Sequence, residues 1–131
     1  MGNQFLKISF LLGALSVALG AFGAHALREL LDERSLQTYH TAVLYQFIHL
    51  LALAVTGMLI KQNDRVWFKR AGYLFICGII FFSGSLFALT FLKAAAIENM
   101  NWLGAITPLG GVCFIAGWLS LFLGIRQSST S

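Results

Sequence analysis

Formal charge is what this chain has least of. Of its 131 residues 11% are Asp, Glu, Lys or Arg, where an ordinary soluble domain has about 25%. With 58% of residues hydrophobic and a mean hydropathy of +0.79, the apolar surface exceeds what a soluble fold of this length can cover. Lipid is therefore the expected solvent. Cysteine is almost as sparse: Cys77 and Cys113 both fall inside apolar runs, which reads as two buried thiols and excludes a disulfide framework. The five carboxylates all lie outside the long uncharged stretches, so none is available to a cation path within the membrane. The net charge of +4 comes without a dense basic run, zinc-ligand spacing or single-strand-binding motif, which excludes nucleic acid as a partner.

What remains is four uncharged runs, 8–27, 41–60, 71–92 and 103–125. At about 1.5 Å per residue each crosses a hydrocarbon core of roughly 30 Å as a helix. The expected fold is all-α, a single membrane domain over 1–131: an integral four-helix bundle with short loops and helices adjacent in chain order. Lys7, the first apolar run and Ala24, His25 and Ala26 imitate a secretory signal, but the run outlasts a typical signal core of about 7–15 residues, so retention is expected. Lys7, Lys61, Arg65, Lys69, Arg70 and Arg126 fall on one side and Arg28, Arg34 and Lys93 on the other, which places both termini in the cytoplasm.

Along the chain, small residues mark the expected contact faces. Gly13, Ser16, Gly20, Gly23 and Ala24 line one face of the first helix, and Gly110, Cys113, Gly117, Ser120 and Gly124 one face of the fourth. The first loop is expected over Arg28–Tyr39, with a short interfacial helix and Asp32 or Ser35 capping the next helix. The second loop, Lys61–Arg70, offers Trp67 and Phe68 to the headgroups, and the third covers Lys93–Trp102. Phe81, Phe82, Phe87 and Phe91 read as lipid contact or packing. Pro108 should disturb the start of the fourth helix, with Thr107 satisfying the freed carbonyl, and Gln127–Ser131 should fray.

The second helix carries the chemistry. Thr38, Ala42, Tyr45, His49, Ala52 and Thr56 form a small or polar stripe, with Gln46 close by, and antiparallel packing brings Ser83 or Ser85 to comparable depth. Two readings compete for Tyr45, Gln46, His49, Ser83 and Ser85. One is a polar cavity that binds a small solute or relays protons; the other is an interhelical hydrogen-bond cluster that fixes register. His25 and His40 form a candidate pair near the end away from the termini, able to meet a metal or haem only with help from Glu29 or Asp32. The competing reading makes each an anchor at the headgroup boundary, and neither a metal nor a cofactor is expected. His40 and His49 stand about 13.5 Å apart along one helix and cannot share an ion.

Several short motifs combine into a resemblance. Gly20–Leu27 reads GAFGAHAL, Thr41–His49 reads TAVLYQFIH, Phe82–Leu86 reads FSGSL and Ile106–Gly111 reads ITPLGG, followed by Gly117 and Trp118. In that order, across all four helices, they resemble the membrane-protein family known as domain of unknown function four-twenty-three, whose relatives include a small eukaryotic transmembrane protein. The resemblance implies a multi-pass protein of the bacterial cytoplasmic membrane and supplies no catalytic residue, substrate or cofactor. Relatives often carry His where this chain has Gln46, which weakens a metal-ligand argument here.

No enzyme is expected. Ser83 lacks a strand–turn–helix setting, and Gly110–Gly111 lacks the Lys and hydroxyl of a phosphate loop. The leading expectation is a non-enzymatic protein acting through helix packing, as an accessory subunit or small homo-oligomer in the lipid bilayer. The alternative is a component of a solute or ion transporter with a polar cavity around His49.

Overall fold

The computed structural model describes residues 1–128, and they are helical nearly throughout. Four helices are long and apolar enough to cross a membrane: Gly2–His25, Glu33–Gln62, Val66–Ala94 and Leu103–Gln127. The chain is an all-α, four-span membrane bundle. Each helix packs on its neighbour in sequence, the first on the second, the second on the third, the third on the fourth. The second is the hub: half of its apolar window is buried, against 17% for the first and 28% for the fourth.

The helices outlast the uncharged runs, because a charged flank leaves the hydrocarbon without leaving the helix. The first begins at Gly2 rather than near Ile8, and the expected loop Arg28–Tyr39 shrinks to the single turn Leu27–Leu30 and a sharp corner. Asp32 caps the second helix by accepting from the Ser35 amide at 2.8 Å. Hydrogen bonds from Ser35 hold that carboxyl below its ordinary range. Tyr39, expected in the loop, is fully buried, donating to the Leu19 carbonyl at 2.5 Å and standing edge-on to Phe87. The second loop contracts to Asn63–Arg65, so Phe68 packs into the bundle instead of the headgroups, while Arg70 covers the Trp67 ring at 4.9 Å. The fourth helix continues to Ser128; residues 129–131 of the expected frayed tail lie outside the described residues.

The third helix is not regular. Ile79–Ser83 forms a π-helical segment between α-helical stretches, which widens the turn and aims the Ser83 hydroxyl at the Ala42 carbonyl, 2.8 Å away. Pro108 sits inside the fourth helix. Thr107 does not serve the local carbonyl as expected; its hydroxyl meets Ser85 across the helix interface at 2.6 Å.

Glycines admit the helices to one another. Gly110, Gly117 and Gly124 of the fourth helix receive Phe82, Phe75 and Phe68 of the antiparallel third, a rung every seven residues on both sides. A Cβ on Gly110 would fall on the backbone of Phe82, and one on Gly117 would stand 2.7 Å from the Phe75 ring. Gly78 in return receives Phe114, and Gly72 receives Phe5 from the first helix. Of the small residues expected on the first helix's contact face, Ser16 and Gly23 are buried, together with Gly2, Phe5 and Ser9, whereas a Cβ on Gly13 would meet nothing within 4 Å.

Gly110→Ala is expected to lower stability in detergent by about 1–3 kcal/mol, the usual cost of overpacking. Gly13→Ala should leave it unchanged or raise it by no more than about 1 kcal/mol. Thermal melts followed by circular dichroism check this, and equal losses at the two sites would contradict it.

Candidate functional site

His49 lies near the middle of the second helix, 5% exposed, in a nest of rings. Phe114 of the fourth helix stacks flat on it, centroids 3.5 Å apart and planes 8° from parallel, and Phe75 and Trp118 close around the edge. Both ring nitrogens have partners: Nδ1 lies 2.6 Å from the Tyr45 carbonyl, and Trp118 Nε1 lies 3.2 Å from Nε2. An indole N–H only donates, so Nε2 accepts and Nδ1 carries the proton that goes to Tyr45. That assigns the neutral Nδ1–H tautomer. A second proton, on Nε2, would face the indole N–H and break the contact to the fourth helix.

The other candidate residues divide. Tyr45 stacks on Phe82 at 4.6 Å and lies parallel to His49, but it is 39% exposed, on the flank of the bundle rather than inside a cavity. Gln46 turns the other way and donates to Ser16 of the first helix at 2.8 Å. Adjacent residues diverge by about 100° on a helix, so Tyr45 and Gln46 serve different neighbours. Ser83 bonds the Ala42 carbonyl, and Ser85 bonds Thr107 and the Phe82 carbonyl. The five residues expected in one polar cluster are thus distributed over contacts of the second helix with the first, third and fourth, and of the third with the fourth.

The remaining hydroxyls are satisfied locally. Ser9, Thr56 and Ser120 each donate to the carbonyl four residues earlier. His25 and His40 are both exposed, and His40 has an edge-on ring contact with Tyr39. Among the described residues no group of three or more His, Cys, Asp or Glu side chains is placed to hold a metal. Ser16 was legible as a contact residue of the first helix, but Phe114 escaped the sequence reading and Trp118 was read only as part of a motif. The GW pair at Gly117–Trp118 was visible, but nothing in the sequence fixed the rotation of the fourth helix against His49.

Cavities lie at both ends of the bundle and on its lipid side, and none of these is lined by Tyr45, Gln46 or His49. With an aromatic interior, hydrogen bonds spent between helices and four spans long and apolar enough to cross a membrane, the fold defines a small multi-pass membrane protein. Residues 19–111 match the family model described as "Protein of unknown function (DUF423)". The chain belongs to that family. It is 38% identical to the UPF0382 membrane protein of Haemophilus influenzae, covering 99% of both chains. It is 42% identical to UPF0382 membrane protein SH2409 of Staphylococcus haemolyticus over 90% of this chain and 94% of that one. It is also 32% identical to UPF0382 inner membrane protein YgdD of Escherichia coli over 95% of this chain and 91% of that one. No solved structure matches the chain.

Trp118→Phe keeps a ring and removes the donor to His49. The expected loss of stability is about 0.6–1.7 kcal/mol, the range of hydrogen bonds between membrane helices. Nitrogen NMR of ring-labelled wild-type protein should show His49 protonated at Nδ1 and bare at Nε2 near neutral pH. An imidazolium or the opposite tautomer would contradict the assignment.

Proposed function

We propose that this chain is a non-enzymatic component of the bacterial inner membrane that acts through helix packing, as an accessory subunit or small homo-oligomer, with both termini cytoplasmic. The observation that carries the reading is the condition of His49. This buried imidazole near the middle of the second helix has both nitrogens engaged and a phenyl ring over its face, which suits a structural joint and leaves no open coordination or proton-transfer position. The names of bacterial relatives support the membrane, and the Lys and Arg bias of the ends supports the orientation. The first helix is the least buried of the four spans and packs mainly on the second, so much of its surface is open to lipid or to another helix. The rival reading, a transport path around His49, draws no support from the cavities at the ends and on the lipid side of the bundle, none of which Tyr45, Gln46 or His49 lines.

Water accessibility tests the proposal. Single cysteines from Ala42 to Thr56, in a background lacking Cys77 and Cys113, are labelled in native membranes with a polar maleimide. Positions flanking His49 should be silent, and crosslinking through the first helix should capture a second copy or a discrete membrane partner. Reaction beside His49, with only monomer after crosslinking, would overturn the reading in favour of a wet path.

A further inference from the structure

A cleft of about 360 Å³ opens at the end of the bundle away from the termini, where the second, third and fourth helices meet. We infer that it binds a phosphate-bearing anion, with Arg34 and Lys93 supplying the charge. The volume falls within the roughly 300–1,000 Å³ of small-ligand sites. Arg34, Ser35 and Thr38 come from the first turns of the second helix, Leu89 and Lys93 from the last turns of the third, and Asn101 from the approach to the fourth.

The two cations are held differently. Lys93 is tethered: its Nζ donates to the buried Ser35 hydroxyl at 3.2 Å, and its helix ends in a closed cap, with Ile97 N–H on the Leu92 carbonyl at 2.9 Å and Ala96 N–H on the Lys93 carbonyl at 3.0 Å. The ammonium keeps further protons for a ligand. Arg34 makes no ion pair among the described residues, so its guanidinium fork is free to take two oxygens of one acceptor. Asp32, near both cations, is occupied as the helix cap and does not line the cleft.

A neighbouring chamber of about 510 Å³ shares Leu89, Lys93 and Asn101 but also holds Glu98. The cleft on the Arg34 side has no carboxylate in its lining, so the anion belongs there. A fork and a point charge from two helices, with an amide from the turn before the fourth, suit a tetrahedral group with several oxygens better than a single carboxylate. Trp102, next in sequence to Asn101 and 57% exposed, is the kind of side chain that sits at headgroup depth. Leu89 provides an apolar edge. The headgroup of an anionic phospholipid and free inorganic phosphate share this chemistry, whereas the choline of phosphatidylcholine cancels the charge of its phosphate.

The test measures acylation of Lys93 by an amine-reactive reagent, resolved by peptide mass spectrometry, on the full chain in nanodiscs. Three conditions are compared: phosphatidylcholine alone, phosphatidylcholine with phosphatidylglycerol, and phosphatidylcholine with added inorganic phosphate. Lys61, exposed at the opposite end, reports the general effect of surface charge. Lys93 labelling should slow by about threefold or more relative to Lys61, as for a ligand at twice its Kd, and Arg34→Gln should abolish that excess. Protection by phosphatidylglycerol alone assigns the headgroup; protection by inorganic phosphate as well assigns a site open to free anions. Equal labelling in all three conditions, or protection that survives Arg34→Gln, overturns the site.

Discussion

Aromatic rings seated against glycine hold this bundle together. Helices in a bilayer gain nothing by hiding apolar side chains from water, because lipid tails are as apolar as leucine, so cohesion must come from the closeness of the fit. Phe68, Phe75 and Phe82 meet Gly124, Gly117 and Gly110 along the interface of the third and fourth helices, and Phe114 meets Gly78 in the opposite sense. Gly117, Gly124 and Gly78 each let a ring approach the neighbouring backbone at a distance that a Cβ would forbid, and Gly110 lets the backbone of Phe81 and Phe82 itself come that close. The same device recurs where Phe5 enters at Gly72 and Tyr39 at Gly23, tying the first helix to the third and to the second.

That fit sets the terms for the polar groups. Once backbones approach this closely there is little room for water, and every buried donor and acceptor must find a protein partner. The second helix distributes them: Gln46 to Ser16 of the first, the Ala42 carbonyl to Ser83 of the third, His49 to Trp118 of the fourth. The π-helical segment at Ile79–Ser83 belongs to the same logic, since it turns Ser83 inward while Phe82 keeps its place at Gly110. His49 is then a joint between helices whose neutral form completes the hydrogen bonds, and this is what favours a packing role over a conducting one.

The sequence disclosed the spans because formal charge vanishes from four long runs, and the order of short motifs disclosed the family. It did not disclose rotation. Tyr45 and Gln46 are neighbours in sequence and look like one polar site, yet they point about 100° apart and serve different helices. Gly13 was a plausible contact residue by spacing and faces open space, because the face is set by Phe5, Ser9 and Ser16, whose match to the second helix depends on a register no single helix encodes. Phe68 looked like a headgroup anchor beside Trp67 and Lys69; only the partner at Gly124 reveals it as an end rung of the ladder.

The most direct test of ring-in-notch cohesion is a double-mutant cycle between Gly117 and Phe75, read as unfolding free energy in detergent or bicelles. Gly117→Ala alone should destabilise through collision with the Phe75 ring, and adding Phe75→Leu should relieve much of that cost, a coupling of about 1 kcal/mol or more between touching residues. Additive effects, with Gly117→Ala equally costly whether or not the ring is present, would contradict the account.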